Sequence, residues 1–535
     1  MNAAPAITDV ATDSPLESSE ASIAPAPPVH APTPGLGKHV VSGMAVGMVC
    51  TFAQKVLALL QQLAIGYALT KDQVGLVGLA YGVVVFATVL RDGGVGVVLV
   101  QRGNEFSKWA NPAVWISSAI ALLTLGLSLV AIPIALHAYD PTKANYVPWQ
   151  LIGVLLVIAA SGVPSVLSAV PAAKLNYDLK FNYLSITGTI LTFISTVLTI
   201  AMAFAGAGAF AIVVPACAVA FGRLILYWAK SPVHVSPNPE LGKWKNLLGD
   251  SLWATAAASA LAVWVQLDRV ILGLFRDVSV VGDYQYAWML TSQTATLLAG
   301  TAGTVLMPAF GRISDPQRQV YAFERTTMLL GLVAVPACFL QGWLCEPALQ
   351  LFFGHKWDNS VWLTRMLSFG LSLGLMGIPT NSFLQGRGKF KLMFWWQVAE
   401  MIGMAIFATI GAWLGGAMGV AIANSTLMTI FTPLGLWIVF RGSDNVGRRI
   451  LRLLGIPVVI GMLTTLLTWA VVAPLPGVWT KPIVQIVVVG SVFCGLTFVV
   501  GRLIAPREVA ELVRLSGIRN LPAKLLARLR RTSAA

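Results

Sequence analysis

Charge is what this sequence has least of. Of 535 residues only 11% are charged, about half the share usual in a soluble protein, while 56% are hydrophobic. A soluble domain has no interior for that much apolar surface, and a bilayer supplies the missing solvent. Cysteine is scarce too. Cys50, Cys217, Cys338, Cys345 and Cys494 lie in or beside apolar runs and form no CxxC pair, so neither a disulfide framework nor a thiolate metal site is implied. The five histidines (His30, His39, His137, His234, His355) are scattered through tail and loops. There is no Walker A loop, because GRGKFK at 386–391 reads as a turn carrying topology charges. No catalytic constellation and no cofactor site follow, which argues against an ATPase, a metal enzyme or any other enzyme. A driving force is left to ions, membrane potential or the substrate gradient. Residues 1–37 lack an early positive charge and an apolar core, so they are not a signal peptide. Their seven prolines, four acids and many Ala and Ser predict a disordered cytoplasmic tail.

What the sequence does have is fourteen apolar runs, each about long enough to cross a bilayer. They cover approximately 40–69, 74–100, 109–135, 149–172, 183–205, 210–229, 252–274, 280–310, 328–344, 362–384, 393–414, 418–440, 454–472 and 483–504. Cut at these runs, Lys and Arg fall into alternate gaps: 27 in one set, and only Lys71, Lys143, Arg276, Lys356 and Lys481 in the other. Insertion retains positive charge on the cytoplasmic side. The bias therefore predicts a multi-pass integral membrane protein with both termini in the cytoplasm. It also accounts, with the basic tail, for the net charge of +14, so no nucleic-acid partner is implied. Trp109, Trp149, Trp228, Trp343, Trp357, Trp362 and Trp479 fall at the expected interfaces, where amphipathic rings settle. External gaps are short; the longest, 345–361, has seventeen residues. No folded external domain exists, and function resides within the membrane.

The proline-bearing stretch 230–245 is the longest cytoplasmic gap between runs and divides the chain after six of them. A weak repeat supports the division. At a constant offset of 207 residues, Gly66 matches Gly273, Gly75 matches Gly282, Ala80 matches Ala287 and Gly93 matches Gly300, among nine identities in 35 positions. An even number of helices per unit puts both copies the same way up, so the two lobes face each other across a cleft along the membrane normal. The expected fold is an all-α integral membrane protein with about fourteen transmembrane helices, two parallel six-helix lobes around a central cleft and a C-terminal helix pair. The expected parts are a tail (1–37), a first lobe (38–229), a linker (230–245), a second lobe (246–441), the helix pair (442–505) and a basic amphipathic tail (506–535). That tail interleaves Val509, Leu512, Val513, Leu515, Leu521, Leu525, Leu526 and Leu529 with Arg and Lys. It reads as helix lying on anionic lipid of the cytoplasmic leaflet, or as a partner-binding helix.

Candidate site residues are charges and amides inside the runs, because such groups are costly in a bilayer unless they face a cavity or a partner. Lys55 lies midway along the first run, and Thr51, Lys55, Ala58 and Gln62 share one helical face. The seventh run repeats the stripe with Thr255, Ser259, Ala262, Gln266 and Arg269. The second offers Arg91 and Asp92, the seventh also Asp268, the tenth Arg365, and the eleventh Gln397 and Glu400. Competing readings stand beside these. Arg269 and Arg365 lie near run ends and can snorkel, Arg91–Asp92 and Asp268–Arg269 can compensate locally, and Glu400 can pair within its lobe. Lys55 is too deep for easy snorkelling and reads as cavity-facing. A cationic cleft suits an anionic headgroup, such as a lipid diphosphate.

Three stretches carry a family likeness. GYALTKDQVGLVGLA at 66–80, continuing through LRDGG at 90–94 to VLVQR at 98–102, resembles the first helical hairpin of bacterial exopolysaccharide and O-antigen flippases. PAAKLNYDLK at 171–180 is similar to the turn after their fourth helix, and LDRVILG at 267–273 with VGDYQYA at 281–287 to the start of their second lobe. The likeness runs over roughly 40–440, in a superfamily that also holds multidrug exporters and lipid II flippases. It implies twelve core helices in two lobes and alternating access that flips a polyprenyl-diphosphate-linked oligosaccharide, with polysaccharide polymerase and glycosyltransferases as partners. The chain departs from the family at Lys71-Asp72-Gln73, where a Pro and an acid are common, and at Asp92-Gly93-Gly94, where Asp-Leu-Gly is common. Two other functions compete. A cation-coupled exporter of small amphiphiles prefers a carboxylate deep in the first helix, where Lys55 stands. A membrane polysaccharide polymerase or ligase needs a sizeable external loop, which is missing.

Overall fold

The computed structural model describes residues 36–88, 99, 106–137, 148–178, 180–231, 233, 235–313, 315–479 and 481–515. Regular structure among them is helical, with no strand. In chain order the helices are α1 (Leu36–Ala68), α2 (Lys71–Thr88), α3 (Phe106–His137), α4 (Pro148–Leu167), α5 (Ala169–Tyr177), α6 (Phe181–Phe204) and α7 (Phe210–Lys230). Then follow α8 (Trp244–Phe275), α9 (Val278–Arg312), α10 (Pro316–Phe353), α11 (Asp358–Met376), α12 (Ile378–Gly386) and α13 (Phe390–Phe440). The last are α14 (Val446–Val472), α15 (Pro476–Trp479), α16 (Pro482–Ile504) and α17 (Pro506–Leu515). Arg91 and Asp92, most of the N-terminal tail and residues 516–535 lie outside the described residues.

Among the described residues, eleven helical segments are long and apolar enough to cross a membrane. One of them, α13, folds back on itself at Gly416, whose φ of 57° leaves the helical region. A β-carbon at Gly411 or Gly419 would overlap the backbone of the other, so only glycine permits two limbs this close. Counting α13 twice and adding α2 and α9, which complete the alternation, gives the fourteen crossings expected from the sequence.

The helices pack in two groups. In the first, α1 lies on α6, α6 on α7, α3 on α4, and α2 against α3 and α4. In the second, α8 lies along α13, α10 on α11, and α9 against α11 and α12. Each group has its own core: Leu76, Val84, Val154 and Leu155 centre the first, and Leu272, Tyr284, Leu367 and Met404 the second. Lipid tails are as apolar as these side chains, so close packing and small residues rather than hydrophobic burial hold such groups together. The pair α14 and α16 rests on α10. Between the groups, α2 packs on α9 and α8 while α1 touches α9 and α10. This is the seam.

Three local features differ from the sequence expectation. The seventeen-residue external gap at 345–361 shrinks to the turn between α10 and α11, because α10 runs on to Phe353 and α11 starts at Asp358. Arg365, expected inside the tenth run, is paired with an acid of that gap: its Nη2 donates to Glu346 Oε2 at 2.5 Å and its Nε to the Gly342 carbonyl at 3.2 Å. Trp357, expected among interfacial tryptophans, is fully buried. Lastly, the described part of the C-terminal amphipathic segment turns acids toward the protein. Glu511 accepts from Arg325 of α10, and Glu508 from Arg452 of α14 at 3.0 Å. The side chain of Val509 packs on Gly501.

The linker lies on the first group. Asn111 of α3 donates through Nδ2 to the Asn238 carbonyl at 2.8 Å and accepts from the Ser236 amide at 2.8 Å, and Trp115 Nε1 donates to the Ser236 carbonyl at 2.9 Å.

Candidate functional site at the seam

The seam begins with how α1 is oriented. Gln54 and Gln61, seven residues apart, donate to Thr189 and Thr199 of α6, each at 3.0 Å. That fixes one face of α1 on its own group and turns the neighbouring face, which carries Lys55 and Gln62, toward the second. Gln62, 3% exposed, accepts at Oε1 from Gln293 of α9 at 3.4 Å, and its carbonyl accepts from the Tyr286 hydroxyl at 3.4 Å. Two turns further from the α1–α2 turn, Lys55 is half-buried. It has no hydrogen bond or ion pair among the described residues.

A cluster of polar bonds joins the two groups near the α1–α2 turn. Lys71, at the start of α2, pairs with Asp283 of α9 at 2.9 Å. Asp283, 5% exposed, also accepts from Asn359 Nδ2 at 3.1 Å, and its carbonyl from the Ser360 hydroxyl at 3.0 Å. Lys356 Nζ donates to the carbonyls of Gly66, Tyr67 and Leu69 at 2.9, 2.9 and 2.6 Å. It thereby caps the carbonyl end of α1, where a helix leaves acceptors unsatisfied and its dipole favours a cation. Burial and the neighbouring Lys71 push the Lys356 ammonium below the ordinary lysine value. Trp357 Nε1 donates to the same Gly66 carbonyl at 2.9 Å, and its ring stacks on Tyr286 with centroids 4.0 Å apart. The helices also meet backbone to backbone: a β-carbon at Gly75 would overlap the Val278 carbonyl, and one at Gly282 the Lys71 carbonyl.

This end of the seam is a lock, with Lys71, Asp283, Lys356, Trp357, Tyr286 and Gln293 as its parts. In the sequence Lys71 and Lys356 look like loop charges, Trp357 like an interfacial ring, and Asp283 and Tyr286 like motif letters. An acid inside an apolar run is a signal that could have singled out Asp283.

The other sequence candidates fall in different places. Asp268 and Arg269, each 1% exposed, form a closed network. Arg269 Nη1 lies 3.2 Å from Asp268 Oδ1, and Nε donates to Gln285 at 2.6 Å. Nη1 donates to Gln266 at 2.8 Å and to the Val265 carbonyl, and the guanidinium sits 4.8 Å from the Trp288 ring centroid. Tyr284 donates to Asp268 Oδ2 at 2.6 Å. The network lies directly under α2, where β-carbons at Gly78 and Gly82 would press on Gln285 and Val270. Arg365, bonded to Glu346, faces a cavity of about 310 Å³ between α10, α11 and α14, away from the seam. Gln397 is buried, with neither amide atom bonded among the described residues. Glu400, one turn on, is partly buried. Both lie on the limb of α13 that packs along α8, within the second group. Thus the structure brings Lys55 and Gln62 to the seam, places Gln266, Asp268 and Arg269 in a network bordering it, and keeps Arg365, Gln397 and Glu400 in the second group. Among the described residues no cluster of His, Cys, Asp and Glu could hold a metal ion.

Comparison with known proteins agrees with this architecture. The chain is 22% identical over 414 residues to the teichuronic acid biosynthesis protein TuaB of Bacillus subtilis, covering 76% of this chain and 83% of that one. It is 24% identical over 383 residues to the succinoglycan biosynthesis transport protein ExoT of Rhizobium meliloti, covering 70% and 75%. Among solved structures, the lipid II flippase MurJ in an inward closed conformation superposes with a TM-score of 0.66 at 15% identity, over 86% of this chain and 99% of that one. The multidrug transporter DinF-BH superposes with a TM-score of 0.54 at 16% identity, over 77% and 96%. These two likenesses show a shared membrane-transporter fold. A family model described as polysaccharide biosynthesis protein matches residues 68–362, and the chain belongs to that family.

Proposed function

We propose that this protein moves a lipid-linked oligosaccharide across the bacterial inner membrane by alternating access, as a flippase in the synthesis of a surface polysaccharide. The observation that carries the reading is the asymmetry of the seam. One end is locked by Lys71–Asp283, by Lys356 on the end of α1 and by two touching glycines. Two helical turns beyond Gln62, Lys55, unpaired among the described residues, stands on the same face. With the positive-inside bias the locked end is external and both termini are cytoplasmic. An unpaired cation at membrane depth is costly unless it meets an anion or water. Lys55 takes the diphosphate of the lipid-linked sugar. The succinoglycan transport relative supports the substrate class.

Polymerase and glycosyltransferases act before and after this step and are its expected partners. Anionic lipid is a further expected partner of the basic C-terminal sequence. A cation-coupled exporter of amphiphiles remains on the same fold, but α1 offers it a lysine at the depth where it needs a carboxylate.

The deciding experiment is a deletion strain. Lipid-linked glycan should accumulate facing the cytoplasm and surface polysaccharide should disappear, both restored by the wild-type chain. Normal surface polysaccharide in the deletion strain refutes the reading.

A further inference from the structure

The partners in the lock do not stand to lose equally when it opens. Asp283 is also bonded within its own group, accepting from Asn359 Nδ2 at 3.1 Å and from the Ser360 hydroxyl at 3.4 Å. Lys71 and Lys356, among the described residues, bond only across the seam. Lys71 belongs to the first group and donates to Asp283. Lys356 belongs to the second and donates to three carbonyls at the end of α1. When the groups part at this end, the acid keeps partners and both ammoniums lose theirs.

Both ammoniums flank one ring. Lys71 Nζ lies 6.0 Å and Lys356 Nζ 5.7 Å from the Trp357 ring centroid. They are near enough that Lys71 disfavours the charge on Lys356. Neither is deeply sunk: the Lys71 side chain is 28% exposed, and Lys356 is partly buried. Parting the groups therefore leaves two like charges, one on each wall of the gap, with no described acid bonded to either. Like charges repel, and unpaired cations near hydrocarbon are costly. An anion with several charges, set between them, relieves both effects at once. A diphosphate offers oxygens on two phosphorus atoms, one for each wall.

Resting on the flippase reading, we propose that Lys71 and Lys356 form a second anion site, present only when the seam is open at this end, which takes over the carrier's diphosphate from Lys55. The end of α1 lies about 20 Å along the helix from Lys55, on the side to which the sugar is delivered. Site and lock use the same two ammoniums, so they exclude each other. A bound diphosphate holds the seam open, and the lock re-forms only after the anion has left. Return of the empty protein is thereby tied to release, because a ligand that binds one state alone shifts the ratio toward that state.

The test uses the full-length Lys55→Ala protein in lipid nanodiscs, so that the other cation is gone, with spin labels at Thr70 and His355. The probe is inorganic pyrophosphate, compared with sodium chloride at matched ionic strength, because salt alone screens ion pairs. Pyrophosphate should raise the ratio of long to short distances about tenfold over chloride. Lys71→Arg should keep that response, whereas Lys71→Gln with Lys356→Gln should start more open and lose it. Nanodiscs of phosphatidylcholine and of phosphatidylglycerol should respond alike. No response beyond chloride overturns the site, and so does a response that survives loss of both lysines. A seam held open by phosphatidylglycerol alone would assign the lysines to bulk lipid headgroups and overturns it too. Failure of the site is distinct from failure of the transport reading. If the deletion strain keeps its surface polysaccharide the transport reading falls, whatever pyrophosphate does. If the wild-type chain restores the polysaccharide and pyrophosphate leaves the distance unchanged, only the second site falls.

Discussion

Gly75 and Gly282 stand 207 residues apart and touch across the seam, each facing backbone of the other's hairpin. The contact is reciprocal, because Gly75 meets the carbonyl of Val278 and Gly282 that of Lys71, and Val278 and Lys71 are also 207 residues apart. The same symmetry relates Gly66, which abuts Tyr286, to Gly273, which abuts Leu79. A side chain at Gly282 should wedge the locked end apart. Gly282→Val is expected to express and insert but to lose complementation of surface polysaccharide. Spin labels at Thr70 and His355 should move apart in it by several ångströms, and an unchanged distance would show that the glycine contact does not hold the seam.

Lys71 and Asp283 form the ionic part of the lock. An ionised hydrogen bond of this kind contributes about 1.5–3 kcal/mol, so Asp283→Asn should shift the closed-to-open ratio by roughly tenfold or more toward open. Lys71→Asp alone should behave similarly or worse, and Lys71→Asp with Asp283→Lys should recover part of the loss. The same pair of spin labels reads the outcome. A double variant no better than its parents would mean that the charges are not coupled.

Lys55 makes no described polar contact, so its replacement should spare the fold and damage transport. Lys55→Ala is expected to keep wild-type thermal stability in detergent and lose complementation at normal expression, with Lys55→Arg retaining part of it. Full complementation by Lys55→Ala would remove the lysine from the site.

Arg269 should show the reverse. It is enclosed by Asp268, Gln285 and Gln266, and removing one partner of such a buried pair typically costs 3–5 kcal/mol. Arg269→Ala should therefore lower the melting temperature and yield of the purified protein. A stable, well-expressed Arg269→Ala that fails only in transport would instead put the guanidinium in contact with substrate.

The contrast between Lys55 and Arg269 marks what the sequence disclosed. The crossings and their alternation are legible because apolar length and loop charge are local. The stripe on α1 was legible by helical period. What period cannot give is which of two adjacent faces meets the partner helix. Gln61 and Gln62 are neighbours in sequence, yet one binds α6 in its own group and the other faces α9. Nor could it give the partners of loop charges. Lys356 looks like any external lysine until α10 and α11 lengthen and bring it over the end of α1.

The ion pairs of α17 sit at the surface, where solvent screens them, so each adds little. Reversing both acids, Glu508→Arg with Glu511→Arg, should leave complementation nearly intact while making the C-terminal segment more open to limited proteolysis. Unchanged proteolysis would show that Val509 and Leu512 alone keep α17 in place.

Only Leu69 and Thr70 separate α1 from α2, and only Arg276 and Asp277 separate α8 from α9. Such turns have no slack to act as a flap. If the locked end opens, each hairpin must swing as a rod, and displacement at the lock has to reappear with opposite sign beyond the pivot. The far ends of α1 and α2 then serve as levers, and a ligand that draws them together there supplies mechanical work to unfasten a lock it never touches.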